Sequence, residues 1–252
     1  VGMMLHQDGS SHAWLEGRGP LDLIVTLDDA TSQIYSAFLV EEEGTMSSFQ
    51  GLLQVIERHG LFCSLYSDRG GHYFHTPEAG GKVDKSKLTQ VGRALAQLGI
   101  DHIPAYSPEA RGRSERAFGT LQDRLVKEFK LAGITDIEAA NRFIREVYLP
   151  DHNSRFARPP ESPDSAFVPA SPAQVRDILC RQEDRVVGND NTVRYRRLSL
   201  QLPASPLRPH FVKARVRVHD YPDGTLAVFH GPRILARYHA DGRLMEERKL
   251  AA

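Results

Sequence analysis

The chain has 252 residues, 40% of them hydrophobic, and carries 32 basic and 32 acidic side chains. That is enough apolar material for one large or two modest cored domains, and it excludes a chain that is disordered throughout. Two distant cysteines, Cys63 and Cys180, exclude a disulfide framework and a multi-cysteine zinc site, while no apolar run reaches the roughly 18 residues of a membrane helix.

No charged-then-apolar leader opens the sequence, so a reduced, cytoplasmic protein is expected. "MMLHQDGS" reads as a short strand ending at Asp8 and Gly9. Residues 21 to 28 and 33 to 40 read as two further strands around a polar turn, giving a three-stranded antiparallel meander. "TMSSFQGLLQVIERHG" predicts an amphipathic helix, with Thr45 as N-cap, Met46, Phe49, Leu52, Leu53 and Ile56 on its apolar face, and Gly60 as its stop. "LFCSLYSD" returns to strand character, which buries Cys63 and delivers Asp68 to the strand's C-terminal edge. A second helix runs through Leu88, Val91, Leu95 and Leu98 to Gly99, and "IDHIPAY" is a short strand.

"SPEARGRSERAFGTLQDRL" then passes from a proline- and glycine-broken loop into a helix whose stripe is Phe118, Leu121, Leu125 and Phe129. A further helix is predicted from the capping box Thr135 to Glu138 as far as about Leu149. "RFARPPESPDSAFVPASP" has too many prolines for a helix or a central strand and reads as a linker. Beyond it, Val212, Ala214, Val216 and Val218 alternate with Lys213, Arg215 and Arg217 before a turn at Asp223-Gly224, as in a small β-barrel with one cationic face. Charge divides the same way. Residues 1 to 184 hold 19 Lys/Arg against 26 Asp/Glu, and residues 185 to 252 hold 13 against 6. A basic tail on an acidic body points to a nucleic-acid-facing module joined to one that gathers carboxylates.

Asp8, Asp68 and Glu115 each lie at the end of an apolar segment beside glycine. Singly, each has an ordinary reading as a solvated loop or cap residue. Jointly, if the strands ending at Asp8 and Asp68 are neighbours, both carboxylates emerge at one sheet edge, and a helix packed across that edge aims Glu115 at them. Three such acids repel unless cations neutralise them, and hard oxygen donors suit Mg²⁺ or Mn²⁺, two of which can serve an in-line phosphoryl displacement. Trp14 reads as core. His72 and His75 have no cysteine pair to complete a zinc site.

The carriers "HQDGSSHAWL", "LDDATSQIYSAFLV", "LYSDRGGHYF" and "YSPEARGRSERAFGTLQDRL" occur in the order of a known family, and "HNSRFARPPESPDSAF" resembles the segment that follows its core. Over roughly residues 3 to 168 the chain resembles the retroviral-integrase-like DDE transposases of bacterial insertion sequences. The resemblance implies an α/β fold, an RNase H-like mixed five-stranded sheet flanked by helices, followed by a small all-β barrel. It implies domains at 1–155 (catalytic core), 156–184 (Pro-rich linker) and 185–252 (basic DNA-binding barrel). It makes Asp8, Asp68 and Glu115 the catalytic, metal-binding triad holding two Mg²⁺ or Mn²⁺ ions, with Asp28 and Asp29 as turn residues. The expected activity is cleavage at element ends and strand transfer into target DNA, by a homo-oligomer acting on the bacterial nucleoid, with DNA-reading domains upstream in a longer parent.

The alternative is a catalytically silent, transposase-derived DNA-binding or regulatory protein. Arg111, Arg113, Arg116 and Arg124, with Lys213, Arg215 and Arg217, are the expected phosphate contacts. Two departures from the family pattern stand out. The Asp68 to Glu115 interval is long, which places an insertion near "HTPEAGGKVDKSK", and Gln122 stands where many integrases carry a basic residue that touches DNA.

Overall fold

The computed structural model describes residues 1–78, 81–84, 86–106, 112–204 and 208–245, with backbone alone for 112–114. The chain divides into two compact units, Val1–Leu179 and Cys180–Ala252. In the first, β1 (Met4–His12), β2 (Leu21–Asp28), β3 (Ile34–Val40), β4 (Ser64–Ser67) and β5 (Asp101–Pro104) form one sheet in the order β3-β2-β1-β4-β5. β1 pairs antiparallel with β2 and parallel with β4, β2 pairs antiparallel with β3, and β4 pairs parallel with β5. β2 alone runs against the rest, which is the RNase H-like arrangement.

Helices cover both faces. α1 (Thr45–His59) and α2 (Gln90–Leu98) lie on one, where Leu5, Phe49, Leu52, Val55, Leu65, Val91 and Leu95 are buried together. α3 (Gly112–Leu131), α4 (Ile137–Phe143) and α5 (Leu149–Phe156) lie on the other, over Leu21, Leu23, Val25 and Leu27. The stripe Phe118, Leu121, Leu125 and Phe129 is buried as its spacing predicts. Each of these side chains contributes about 2 kcal/mol.

Several local expectations shift. α1 is capped at Gly44, whose N–H donates to Ser47 Oγ at 2.9 Å, with Thr45 already inside the helix. Asp136, rather than Thr135, caps α4 by accepting from the Ala139 N–H at 2.8 Å. The helix expected to stop near Leu149 continues to Phe156 through a π-helical turn at Ile144–Tyr148, which accommodates Pro150 at the start of α5. Leu88 precedes α2 and is exposed. Cys63 is also exposed, because β4 begins only at Ser64 while its neighbours Phe62 and Leu65 take the buried positions.

The stretch 156–184 is more than a connector: Val168 bridges to Leu61, α6 (Pro172–Ile178) packs Val175 against the α1 side, and β6 (Arg181–Val186) belongs to the second unit. Gly60, at φ 101°, is required here, since a Cβ would strike the Val168 carbonyl.

In the second unit β6, β9 (Arg215–Asp220), β10 (Leu226–His230) and β11 (Arg233–Tyr238) form an antiparallel sheet in the order β11-β10-β9-β6, with a ribbon of β7 (Thr192–Tyr195) and β8 (Leu198–Gln201). Val193, Leu200, Val216, Val218, Val228 and Tyr238 fill one shared core. The strand expected from Val212 starts at Arg215, because Lys213 takes a left-handed conformation at φ 61°. Among the described residues, no helix is long and apolar enough to cross a membrane.

β3 is an edge strand, and its open side is closed by two side-chain amides. Asn141 accepts from the Leu39 N–H at 2.6 Å and donates to its carbonyl at 3.0 Å, and Asn153 does the same for Ile34 at 2.9 Å each way. Each mimics one rung of a strand partner and blunts an edge that would otherwise recruit another chain. Asn141→Ala and Asn153→Ala are each expected to lower unfolding free energy by about 1–3 kcal/mol. Unchanged midpoints in urea denaturation would show the amides to be dispensable.

Candidate active site

β1 sets the geometry through its two faces. Asp8 lies opposite Val25 and Ser10 opposite Leu23, and directly opposed residues of antiparallel strands share a face. Val25 and Leu23 belong to the core under α3, so Asp8 and Ser10 point to the α3 side. The parallel ladder of β1 with β4 ends at the pair Gln7 and Ser67. Asp8 and Asp68 are the next residues after that pair, on segments that run roughly 4.8 Å apart up to it. β1 itself does not end at Asp8 and Gly9 but continues to His12, because its pairing with β2 extends that far. The Asp68 carboxylate accepts from the Gly70 N–H at 2.8 Å and that of Asp8 from the Gly9 N–H at 3.1 Å. Ligand sites of open α/β sheets form at such carboxyl ends.

Beneath this edge lies a buried polar network. Tyr73, 1% exposed, donates its hydroxyl to Gln7 Oε1 at 3.0 Å, while Gln7 Nε2 donates to Thr26 Oγ1 at 3.0 Å and to the Ser48 carbonyl at 3.3 Å. Burial, then the charges of Glu43, Asp8 and Asp68, push the Tyr73 phenol well above its ordinary range. It therefore stays a neutral donor and fixes Gln7, the residue before Asp8. Glu43 overlies Gly9, where a Cβ would collide with its carboxylate, and its Oε1 stands 3.6 Å from His72 Nε2. Burial lowers the His72 pKa, with Asp68 opposing.

Ser67 Oγ and His102 Nε2 hydrogen-bond at 2.9 Å, and the His102 ring stacks on Phe74 at 3.9 Å. Burial, then the nearby His72, depresses His102 to about 4. Arg69 reaches from beside Asp68 to the Gly81 carbonyl at 2.7 Å and lies over the Tyr106 ring, so the inserted segment is tied back to the site.

The structure thus places Asp8 and Asp68 as the next residues after the last pair of one parallel ladder, with Asp8 on the α3 side. Glu115 lies exposed in the first turn of α3, the helix packed on that same face. Among the described residues no three His, Cys, Asp or Glu side chains are gathered closely enough to hold a metal ion. Asp28 is the turn residue the sequence suggests: buried, it accepts from the N–H groups of Gly2 and Thr31. Trp14 is fully buried and donates to the Ser10 carbonyl at 3.1 Å.

Arg111 and the Arg113 side chain lie outside the described residues, while Arg116 is exposed on α3. The Arg124 guanidinium lies 5.3 Å from the Phe156 ring centroid, and burial, then the Arg124 charge, depresses His152 to about 4, so Arg124 is engaged within the α3–α5 packing. On β9, Arg215 and Arg217 are exposed, and Arg217 pairs with Asp184 at 2.8 Å; exposed Lys213 precedes the strand. Gln7, Glu43 and Tyr73 carry no signal at the level of sequence. Glu43 sits in a run of three glutamates that reads as a solvated turn.

Comparison with known proteins places these residues in context. No family model matches the chain. It is 35% identical over 230 residues, 90% of its length, to a Sinorhizobium fredii protein named as transposase y4bF, and 30% identical over 196 residues to the transposase for insertion sequence IS1202 of Streptococcus pneumoniae. The chain spans 50% and 41% of those two proteins. Among solved structures, the catalytic core of HTLV-2 integrase in complex with magnesium is 16% identical with a TM-score of 0.42, covering 58% of this chain and 88% of that one. The core of BIV integrase is 19% identical with a TM-score of 0.43, covering 69% and 93%.

The neutral His102 has a measurable consequence. Its folded pKa lies below the ordinary 6.5, so the unfolded chain binds the extra proton first as pH falls, and stability is lost from about pH 6.5 down to about 4. The slope contributed by one such group reaches at most about 1.4 kcal/mol per pH unit. His102→Asn is expected to flatten the decline of unfolding free energy across that window. Identical slopes in variant and wild type would show that His102 does not titrate with folding.

Proposed function

We propose that this chain, related along most of its length to insertion-sequence transposases, carries the chemical centre of a DDE-type polynucleotidyl transferase. Its reaction is hydrolysis of a phosphodiester at an element end, followed by attack of the freed 3′-hydroxyl on target DNA. The observation that supports this most is the placement of Asp8 and Asp68 as the first residues past the end of one parallel ladder, with Asp8 on the face covered by the helix that carries Glu115 in its first turn.

Asp8 and Asp68, with Glu115 drawn in from the first turn of α3 when the ion binds, would hold Mg²⁺ or Mn²⁺. Two adjacent carboxylates suit hard divalent cations and make a poor site for anything neutral. Such ions, a pair of them in this reading, acidify the attacking oxygen and shield charge on phosphorus. The chain's own residues do the rest. The Tyr73–Gln7 network keeps the Asp8 backbone in register, and the turn from Asp68 to Gly70 holds the second carboxylate at the strand end. Both steps use the same site, because water and a 3′-hydroxyl are equivalent nucleophiles in an in-line displacement.

Exposed Arg116, with Arg111 and Arg113 shortly before it in sequence, would meet DNA phosphates near the carboxylates, and Arg124 would join them by leaving the Phe156 ring. Lys213, Arg215 and Arg217 of the second unit would hold DNA backbone elsewhere. The protein would work as a homo-oligomer on paired element ends within the bacterial cytoplasm and nucleoid.

The test is strand transfer from pre-nicked ends of the encoding element in Mg²⁺. Asp8→Asn, Asp68→Asn and Glu115→Gln should each cut product by about a hundredfold or more while leaving DNA affinity in place. An Asp68→Asn protein with normal strand transfer refutes the assignment and favours a DNA-binding role without catalysis.

A further inference from the structure

We propose that Gln122 is a positioning residue that fixes where Glu115 stands relative to Asp8. The inference rests on the triad reading above and assigns a new part to its third arm. Gln122 Nε2 donates to Ser10 Oγ at 2.9 Å, a part-buried bond between residues 112 apart in sequence. It ties α3 directly to β1.

Its location in both elements gives the bond its meaning. Ser10 is two residues past Asp8, and side chains of period two share a strand face, so Ser10 and Asp8 stand in one row on the α3 side. Gln122 is seven residues past Glu115, and a helix drifts only about 20° over seven residues. Glu115 and Gln122 therefore also form one row. The two rows meet where Gln122 bonds Ser10, so this bond sets how α3, and Glu115 with it, lies along the row that carries Asp8.

The apolar stripe cannot perform this task alone. Phe118, Leu121, Leu125 and Phe129 hold α3 down on the sheet, but hydrophobic burial is non-directional and tolerates small rotations and slides of the helix. A hydrogen bond of fixed length and angle does not. Ser10 is itself held, since its carbonyl accepts from the indole of fully buried Trp14 at 3.1 Å. Phe118, the first stripe residue after Glu115, is 8% exposed, whereas Leu121 and Leu125 are fully buried, so the start of α3 has the weakest apolar anchor. The Gln122–Ser10 bond lies one turn further along.

This also gives the departure at position 122 a reason. A basic side chain there would turn outward to phosphate. Glutamine turns inward, and an uncharged donor can remain part-buried against a hydroxyl where an ammonium would lose hydration.

The test measures Mn²⁺ binding to the whole chain by titration calorimetry, with DNA affinity and melting temperature measured alongside. Wild type should bind Mn²⁺ and Asp8→Asn should not. Gln122→Met, of similar length and helix propensity, and Ser10→Ala should each weaken Mn²⁺ binding by about tenfold, the size of effect expected from one directional bond. The double variant should be no worse than either single one, and Ser10→Thr, which keeps the hydroxyl, should bind like wild type. DNA affinity should be unchanged throughout.

Wild-type Mn²⁺ affinity in both Gln122→Met and Ser10→Ala, with Asp8→Asn abolishing it, overturns the positioning role and leaves the triad standing. Loss of DNA affinity with Mn²⁺ binding intact also overturns it, because Gln122 is then a DNA contact. Undiminished Mn²⁺ binding by Asp8→Asn sinks the triad reading, and this inference with it. Ser10→Ala keeps the question decidable should Gln122→Met fold poorly.

Discussion

The geometry of the candidate site depends on the pairing of β1 with two different kinds of neighbour. Its antiparallel ladder with β2 decides which face each residue takes, and its parallel ladder with β4 decides what stands beside Asp8 where that ladder stops. A one-residue slip in either register would turn Asp8 into the α1-side core and set Gln7 at the edge. The buried Tyr73–Gln7–Thr26 network opposes that slip, because in the slipped register a glutamine, a threonine and a tyrosine lose their mutual partners inside the protein. Close approach is built in as well: Gly51 of α1 leaves room for the Gln7 amide, and Gly9 leaves room for Glu43.

The order of elements was legible in the sequence because its signals are strong ones. Apolar runs on either side of a polar turn marked β2 and β3, helical spacing marked α1 and α3, and Asp68 at the end of an apolar run marked the edge of β4. Element ends were less legible. Asp136 and Gly44 displaced the neighbouring threonines as caps, and the π-helical turn that carries α4 into α5 follows from packing around Pro150 rather than from a local code. Cys63 looked buried because its neighbours are apolar, yet its side chain faces out where no strand has begun.

In the site, the position of Asp68 just past β4 was legible from the apolar run before it, whereas β1 continues past Asp8 to His12, which the glycine at position 9 obscured. Glu43, Tyr73 and Gln7 were not legible, because their contacts span from 19 to 66 residues of sequence and depend on the sheet having formed. The basic residues are a mixed case. Their clustering was visible in the charge count, but Arg124 lies against Phe156 and Arg217 against Asp184, engagements that only the fold reveals.

The central claim is that Asp8, within β1, and Asp68, just past β4, hold a divalent cation with Glu115 from α3. Its most direct measurement is anomalous scattering from crystals of the chain soaked in Mn²⁺. The account predicts a peak between the Asp8 and Asp68 carboxylates with Glu115 drawn in as a ligand. Full occupancy at some other group of residues, with that edge empty, would contradict it.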